Sequence, residues 1–385
     1  MNGVYFDNAA TSFPKAPRVA ESVADFLLNN GSNINRGAYG SSYEAAQTVF
    51  ETRELLCTLF NFKKPENVIF TSNITESLNL VIKGLFKEND HVLISSLEHN
   101  AVMRPLSSLA KQGVGFTRVP GTADGGIDAN MIRDYIQPNT RAVIMTHASN
   151  VSGTILPLED VGTICKDNNL LFIIDTAQTA GFLDIDFVNL HADILAFTGH
   201  KSLLGPQGTG GLLINDKTAE LLEPLIEGGT GSASESEIQP LYLPDKFESG
   251  TPNIPGIFGL NAAVKYLLKK GIGSIRAEEL YLTDLFIRGI SGLPGVKIIG
   301  EETTKGRTAL VSLDFIDYDN AQIADLLAKD FQILTRCGLH CAPSAHKTLG
   351  TFPHGTVRFS FSHFNTAREI NYALNSINKC IRLLG

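Results

Sequence analysis

The chain has 385 residues, of which 43% are hydrophobic and 19% are charged, and its formal net charge at pH 7 is −8. This composition is typical of an ordinary soluble globular protein, and the length allows two domains. The negative net charge argues against a nucleic-acid partner, and no apolar run approaches the ~20 residues of a membrane-spanning helix.

The cysteines and the N-terminal residues bear on the compartment of the protein. Five cysteines lie at positions 57, 165, 337, 341 and 380. An odd number of cysteines at irregular spacing does not fit the disulfide framework of a secreted protein. The first residues lack both the basic start and the apolar core of a signal peptide. Together these features predict a cytosolic (cytoplasmic) protein.

Helical and strand-like patterns alternate from about residue 44 to residue 215. Apolar residues at helical spacing predict helices over 44–60 and 75–82. Short apolar runs predict buried strands at 68–70, 91–94, 142–145, 170–174 and 194–197. This alternation predicts an α/β core built on a mostly parallel sheet.

The second half of the chain begins with a long segment without periodicity. Residues 228–256 are rich in Gly, Ser, Pro and Glu, which predicts a loop. A predicted helix over 257–270 leads to a smaller α+β unit with strands at 309–313 and 355–361 and helices at 321–330 and 367–384. We therefore predict a large domain over 15–256, and a small domain formed by 1–14 together with 257–385.

Two neighbouring predicted strands end in residues of opposite charge. Asp175 follows one strand, and a polar turn with His200 and Lys201 follows the next. Ligands of parallel sheets bind beyond the carboxyl ends of the strands. A lysine in a partly dry pocket can form a Schiff base with an aldehyde, and a carboxylate can keep a pyridine nitrogen protonated. The pair points to pyridoxal 5'-phosphate (PLP), although Asp175 alone could cap a helix and Lys201 alone could be a solvated cation.

Two further residues suit a ligand with a phosphate and a substrate with a carboxylate. Thr75 lies at the start of a predicted helix, where it can cap the helix, bind phosphate, or do both. Arg358 has apolar neighbours on a predicted strand, where an unpaired charge would be costly. Because a guanidinium binds a carboxylate bidentately, Arg358 is a candidate ligand for an amino-acid substrate.

Motifs in a defined order extend over nearly the whole chain. They comprise residues 5–11, 98–101, 149–154, 175–178, 198–201, 205–211, 248–253, 336–342, 357–360 and 364–366. Together they resemble the class V aminotransferases of PLP fold type I, and within them the cysteine desulfurase and selenocysteine lyase group. The short spacing from His340 to the strand of Arg358 resembles the group II (Suf-type) branch. Leu339 departs from that branch, many of whose members have a histidine there.

The resemblance implies a fold and a cofactor. The fold is the PLP-dependent transferase fold type I, an α/β large domain whose mostly parallel sheet is flanked by helices, plus a smaller α+β domain. Lys201 would hold PLP covalently, Asp175 would bind the ring nitrogen and Gln178 the phenolic oxygen. His99 would stack on the ring, although a histidine beside Glu98 could otherwise form a surface pair.

The resemblance also implies how the phosphate and the substrate are bound. Thr75, Thr198 and His200 would bind the phosphate, with Thr251 reaching it from the neighbouring subunit of a homodimer with shared active sites. Asn150 would serve cofactor and substrate, and it would bind the substrate carboxylate with Arg358. Arg36 and Arg336 match family arginines near the site, and Arg36 also matches a position that serves the neighbour.

Cys341 lies at the position of the nucleophilic cysteine of the family. The implied reaction converts L-cysteine to L-alanine and leaves the sulfur as a persulfide on Cys341, from which it passes to an acceptor protein. Selenocysteine lyase (with L-selenocysteine as substrate), another C–S lyase, a class V aminotransferase with a vestigial cysteine, and a non-catalytic scaffold are the alternatives. Cys337 could be a resolving thiol, a second sulfur acceptor or a packed residue. The cluster of Cys337, His340, Cys341 and His346 could hold a metal, but its spacing fits no closed pattern and we predict no metal.

Overall fold

The computed structural model describes residues 3–34 and 37–384. Its strands are Val4–Tyr5 (β1), Val68–Thr71 (β2), His91–Ser95 (β3), Gly115–Val119 (β4), Thr140–Thr146 (β5), Leu171–Asp175 (β6), Ile194–Thr198 (β7), Gly210–Ile214 (β8), Val296–Ile299 (β9), Leu310–Phe315 (β10), Ile333–Leu334 (β11), Arg336–Gly338 (β12) and Thr356–Ser360 (β13). Its α-helices are Val19–Asp25 (α1), Gly40–Leu59 (α2), Ile74–Leu85 (α3), Asn100–Ala110 (α4), Met131–Tyr135 (α5), Leu158–Asp167 (α6), Asp216–Leu221 (α7), Ile254–Lys270 (α8), Ile272–Ile290 (α9), Asn320–Phe331 (α10), Pro343–Thr348 (α11) and Ala367–Leu384 (α12).

Seven strands form the larger sheet in the order β2-β8-β7-β6-β5-β3-β4. The five neighbouring strands β7, β6, β5, β3 and β4 pair in parallel. Strand β8 runs antiparallel to both of its neighbours, β2 and β7. Successive residues of β3 belong to different hydrophobic clusters, Leu93 to one and Val92 and Ile94 to the other. Both faces of the sheet are therefore covered, as the continuous apolar runs predicted, and the mostly parallel sheet is confirmed.

Helices cover the two faces of this sheet. Apolar residues of α3 and α4 pack in one cluster, and those of α2, α6 and α8 pack in the other. Helix α8 contacts α2 and α1, and its Leu260 and Val264 are fully buried in the same cluster as the larger sheet. The domain boundaries at residues 14/15 and 256/257 stay predictions. Among the helices of residues 3–34 and 37–384, none is long and apolar enough to cross a membrane.

The smaller sheet has the order β12-β13-β10-β9, and its pairs are antiparallel. Helices α9, α10 and α12 contribute buried residues to its core. The N-terminal strand β1 pairs in parallel with β11, which anchors the start of the chain beside this sheet. The predicted α+β unit is thus present, with the first residues of the chain attached to it.

Candidate active site

A cavity of about 580 Å³ lies beyond the carboxyl ends of β5, β6 and β7. Its lining includes Thr75, His99, Asn150, Asp175, Gln178, Thr198, His200 and Lys201. Parallel strands present their carboxyl ends at one edge of a sheet, so residues far apart in the sequence meet there. The structure therefore brings together every cofactor-site residue that the sequence analysis named except Thr251.

Asp175 and Lys201 carry the charges of this cavity. Asp175 ends β6, is buried, and accepts the N–H of Ala177 at 2.8 Å. Burial raises the pKa of its carboxyl, while that hydrogen bond and the charge of Lys201 lower it. No helix follows Asp175 before β7 in this fully described stretch, so the helix-cap interpretation is wrong. Burial lowers the pKa of the Lys201 amine to about 8, with Asp175 opposing the shift, so this amine loses its proton readily.

His99 caps helix α4 and is uncharged. Its Nδ1 accepts the N–H of Ala101 at 3.0 Å. Burial, followed by the charges of Lys201 and Arg358, lowers the pKa of His99 to about 4. With Nδ1 accepting, the neutral ring carries its proton on Nε2. The adjacent Glu98 is fully buried, so the alternative of a surface pair is wrong.

Two buried hydrogen-bonding atoms of residues that line the cavity lack a partner in the described part of the chain. Within the described residues, the buried Oγ1 of Thr198 and Nδ1 of His200 have none. Such atoms are costly unless a ligand satisfies them. Thr75 is exposed in the first turn of α3, but Asn73 caps that helix by accepting the N–H of Glu76 at 3.0 Å, so the predicted capping by Thr75 is wrong. The free N–H groups of this helix start and the two orphan atoms suit a phosphate.

The N-terminal segment forms a wall behind the Lys201 turn, which the sequence analysis missed. The carbonyl of His200 accepts the N–H of Ser12 at 2.9 Å, the hydroxyl of Thr11 at 3.1 Å and the Lys15 amine at 3.0 Å. Gln178 donates from Nε2 to the carbonyl of Ala9 at 3.2 Å. These residues are small or polar and lack periodicity, so only the family motif at 5–11 marked the segment.

Arg358 is paired, contrary to the expectation of an unpaired charge. It is 2% exposed, and its Nη1 donates to the carbonyl of Asn150 at 2.9 Å. Its Nη2 donates to Oδ1 of Asp7 at 3.2 Å, and Arg336 reaches Oδ2 of Asp7 at 3.2 Å. The Nε of Arg358 is buried and has no partner among the described residues. The argument from an unpaired charge was wrong, but unused donors remain for an anionic ligand.

Cys341 is exposed on a loop that two hydrogen bonds hold at the cavity. Its carbonyl accepts the N–H of Asn100 at 2.8 Å, and the preceding carbonyl, that of His340, accepts Nδ2 of Asn150 at 2.7 Å. His340 and Cys341 have φ angles of 46° and 57°, in the left-handed region that such residues rarely adopt. The cost of this backbone indicates that the surroundings impose the position of the thiol.

Cys337 differs from Cys341 in its environment. It is partly buried, packs against the core of the smaller sheet, and has a pKa raised by burial. These features favour the packed interpretation over that of a reactive thiol. The imidazoles of His340 and His346 each bind a threonine hydroxyl, at 3.0 and 2.7 Å. In the described part of the chain, no group of three or more His, Cys, Asp or Glu side chains is arranged to hold a metal ion.

Of the predicted site residues in the described part of the chain, Thr251, Arg336, Arg358 and Cys341 are not among those that line the cavity. Thr251 lines a smaller cavity of about 150 Å³, which shares Ser72 and Gly208 with the larger one. The loop before Thr251 is anchored by Glu248, whose carboxylate binds Arg53 bidentately at 2.9 and 2.7 Å. Arg36 lies outside the described residues.

Comparisons with known proteins agree with this architecture. The model of the family described as aminotransferase class-V matches residues 4–373. The chain belongs to the class V aminotransferase family. A protein of Pyrococcus abyssi named "Probable cysteine desulfurase" is 33% identical over 388 residues, which span 99% of this chain and 95% of that protein. One of Methanothermobacter thermautotrophicus with the same name is 33% identical over 371 residues, 95% of this chain and 92% of that protein.

Solved structures of class V relatives have the same fold. The apo structure of a cysteine desulfurase from Thermococcus onnurineus NA1 superposes with a TM-score of 0.92 at 32% identity, covering 99% of this chain and 95% of that one. A cysteine desulfurase from Escherichia coli gives 0.89 at 27% identity, with the same coverage. The PLP fold type I is thereby confirmed, whereas the group II branch stays a prediction.

The residues present fit the PLP that this family implies. A lysine of lowered pKa and a buried carboxylate face the same cavity. The unsatisfied buried atoms of Thr198 and His200 and the start of helix α3 line the same cavity, and a phosphate bound there would satisfy them. The site can therefore accommodate the aldehyde, the ring nitrogen and the phosphate of this cofactor.

Glu98, the residue before His99, makes stability depend on pH. Its Oε1 accepts the Ser95 hydroxyl at 2.5 Å and the Thr146 N–H at 3.0 Å, and its buried Oε2 has no partner in the described structure. Burial, aided by the charge of Asp175, raises its pKa from 4.5 to about 8. Between these values the native state binds a proton that the unfolded state lacks, so the contribution of Glu98 to stability falls as pH rises. The loss is on the order of 1 kcal/mol per pH unit.

We expect Glu98→Gln to remove this pH dependence, because glutamine is uncharged at every pH. The difference in melting temperature between variant and parent should grow in favour of the variant from pH 5 to pH 8.5. The exposed Glu21→Gln, measured in the same buffers, should show no such trend. A difference that stays constant across this range would contradict the raised pKa.

Proposed function

We propose that this protein is a PLP-dependent cysteine desulfurase that converts L-cysteine to L-alanine and retains the sulfur as a persulfide on Cys341. The observation that carries the proposal is the anchoring of the Cys341 loop to Asn150, which lines the PLP cavity, and to Asn100, which follows the cavity residue His99. The names of relatives that match over nearly the whole chain support the same activity.

The cofactor and the residues that hold it share the chemistry. When bound, PLP supplies an electron sink that stabilises negative charge at the α-carbon of an amino acid. Asp175 would hold the pyridine nitrogen in its protonated form, Gln178 would bind the phenolic oxygen, and the uncharged His99 would cover the ring. Thr75, Thr198 and His200 would hold the phosphate, which would satisfy the two orphan atoms of the cavity.

Four residues would act on the substrate. Arg358, with Asn150, would bind the α-carboxylate and so orient the amino acid. The Lys201 amine, with a pKa of about 8, can accept and return a proton near neutral pH. The Sγ thiolate of Cys341 would form an S–S bond with the substrate sulfur while the Cβ–S bond breaks. The carbon then takes up a proton, so the products are alanine and the persulfide.

Product analysis tests this function. Purified holoenzyme is given L-cysteine with a reductant, and alanine and sulfide are quantified; a parallel reaction with L-selenocysteine measures alanine and selenide. Equal amounts of alanine and sulfide from L-cysteine are expected. Turnover confined to L-selenocysteine would instead identify a selenocysteine lyase, and transfer of the amino group to a keto acid would identify an aminotransferase.

We also propose that the protein is a homodimer in which Thr251 of each subunit completes the active site of the partner. We further propose that the protein acts in the cytosol and passes its sulfur to an acceptor protein. Thr251 is exposed and lines the cavity next to the PLP cavity of its own chain. Large apolar side chains are exposed on the surface of the chain, among them Leu28 at 81% and Leu241 at 79%, as is typical of a subunit interface. All five cysteines are free thiols, which is compatible with a reducing compartment.

Mixing two inactive variants tests the shared site. Lys201→Ala removes the amine, and Thr251→Asp is expected to repel the cofactor phosphate by its charge. In a heterodimer of the two, one site would combine both lesions and the other would carry neither. Alanine formation should therefore reappear after subunit exchange, to about half of the parental value per heterodimer. If it stays absent in heterodimers isolated by two affinity tags, each site belongs to one chain.

A further inference from the structure

Asp7 lies between two arginines that face each other across paired strands. Arg336 of β12 and Arg358 of β13 are directly opposite in the antiparallel register. Like charges at opposite positions destabilise a sheet. The carboxylate of Asp7 accepts from Arg358 at 3.2 Å through Oδ1 and from Arg336 at 3.2 Å through Oδ2. The three side chains therefore carry a combined charge of about +1 rather than +2.

The backbone around Asp7 is held independently of these ion pairs. The N–H of Phe6 donates to the carbonyl of Leu334 at 2.9 Å, and the carbonyl of Phe6 accepts the N–H of Ser360 at 2.8 Å. On the other side, Asn8 donates from Nδ2 to the carbonyl of Ser360 at 2.9 Å. Both neighbours of Asp7 are buried. A change of the Asp7 side chain should therefore alter charge and leave the chain in place.

Arg358 retains donors for a second anion. A guanidinium has five N–H donors. The carbonyl of Asn150 and the carboxylate of Asp7 use one nitrogen each, while the buried Nε has no partner in the described residues. An incoming carboxylate on this guanidinium would lie close to Asp7, and the two negative charges would repel each other. Asp7 therefore weakens the attraction of the site for every anion, and most for anions of higher charge.

We propose that Asp7 is a specificity-determining residue that limits the carboxylate subsite to monoanions. This proposal rests on the proposed function, which assigns Arg358 to the substrate carboxylate. Asp7 would then favour amino acids whose α-carboxylate is their only negative group. With a net charge of about +1, the subsite is matched by one carboxylate. A second acidic group would face the repulsion of Asp7, and the three side chains hold no second unbalanced positive charge to offset it.

Anion binding to the PLP-loaded protein tests the charge limit. Calorimetry at pH 8 and fixed ionic strength would measure the affinities for acetate, a monoanion, and malonate, a dianion. We expect Asp7→Asn to raise the affinity for acetate roughly tenfold and that for malonate roughly a hundredfold. The reason is that each negative charge of the anion then interacts with one additional net positive charge. Asp284→Asn removes an acidic partner of an exposed arginine on α9 and should change neither affinity.

A second substitution provides an independent measurement and a compensation. Arg336→Gln removes one positive charge while Asp7 remains. This variant should therefore bind both anions more weakly, with a larger loss of affinity for malonate than for acetate. The double variant restores the net charge and should return the malonate-to-acetate ratio to the parental value. An unchanged ratio in Asp7→Asn, or weaker binding of both anions, would overturn the proposal; if that variant does not fold, an unchanged ratio in Arg336→Gln overturns it.

The measurement separates this proposal from the activity itself. Anion affinities are read without turnover, whereas the cysteine desulfurase assignment is read from alanine and sulfide. If the parent binds neither anion yet forms alanine from L-cysteine, the charge limit fails and the function stands. If the affinities follow the charges but no alanine forms, the subsite is real and the proposed function fails.

Discussion

Lys201→Ala is expected to abolish alanine formation and to leave PLP bound only by non-covalent contacts. Lys201 lies at the cavity edge of the larger sheet, and burial lowers the pKa of its amine to about 8. A neutral amine at this position is what covalent capture of an aldehyde requires. Borohydride reduction followed by peptide mass analysis should find the cofactor mass on Lys201 in the parent and nowhere in the variant.

Lys15 supplies a matched control for this experiment. Burial lowers its pKa to about 8 as well, but its amine donates to the carbonyl of His200 behind the turn and does not line the cavity. Lys15→Ala should therefore keep covalent cofactor on Lys201. A Lys201→Ala protein that still forms alanine from L-cysteine, or a Lys15→Ala protein without covalent cofactor, would contradict the assignment of the lysine.

Cys341→Ala is expected to bind L-cysteine and yet form almost no alanine from it, while it still releases some selenium from L-selenocysteine. Removal of sulfur in the zero oxidation state needs a nucleophile, and under the proposed function the thiol of Cys341, on its anchored loop, would supply it. The C–Se bond is weaker, so that substrate depends less on the thiolate. Mass spectrometry after one turnover of the parent should place the additional sulfur on Cys341.

Cys337→Ala is the comparison for Cys341. Cys337 packs against the core of the smaller sheet, and burial raises the pKa of its thiol. Loss of this thiol should therefore leave much of the first half-reaction, which forms alanine and the persulfide, intact. Slower transfer of the persulfide to a thiol acceptor would support a role as second sulfur carrier. Sulfur found first on Cys337, or full alanine production without Cys341, would reject the proposed mechanism.

The local sequence determined those elements whose residues share one environment. Continuous apolar runs predicted β2, β3, β5, β6 and β7, because strands covered on both faces need apolar residues at every position. Strand β4 was not predicted, since it lies at the sheet edge with partly exposed residues. Strand β8 was not predicted either, and it begins with two glycines. A Cβ atom on Gly210 would lie 2.6 Å from Cα of Asn73, so the packing requires glycine there. Glycine is unfavourable in strands, which weakens the sequence pattern of β8.

The cavity edge followed from strand topology, and the roles of its residues came from the family motifs. Polar residues after parallel strands had to meet at one edge, which is why Asp175 and Lys201 could be placed together from the sequence. The identity of the cap of α3 was not determined in this way. Asn73 and Thr75 are both acceptable capping residues two positions apart, and only the geometry of the turn selected Asn73.

Only the tertiary structure decided which partners the charged residues and the thiol loop have. Arg358 meets Asp7 across 351 positions of the chain, and Asn150 meets the carbonyl of His340 across 190. These contacts depend on how the smaller sheet and the N-terminal segment pack against the larger sheet. Hydrophobic periodicity and local propensity record the burial of a residue but not its distant partner. For this reason the sequence could name Arg358 and Cys341, while their counter-ion and their anchors required the fold.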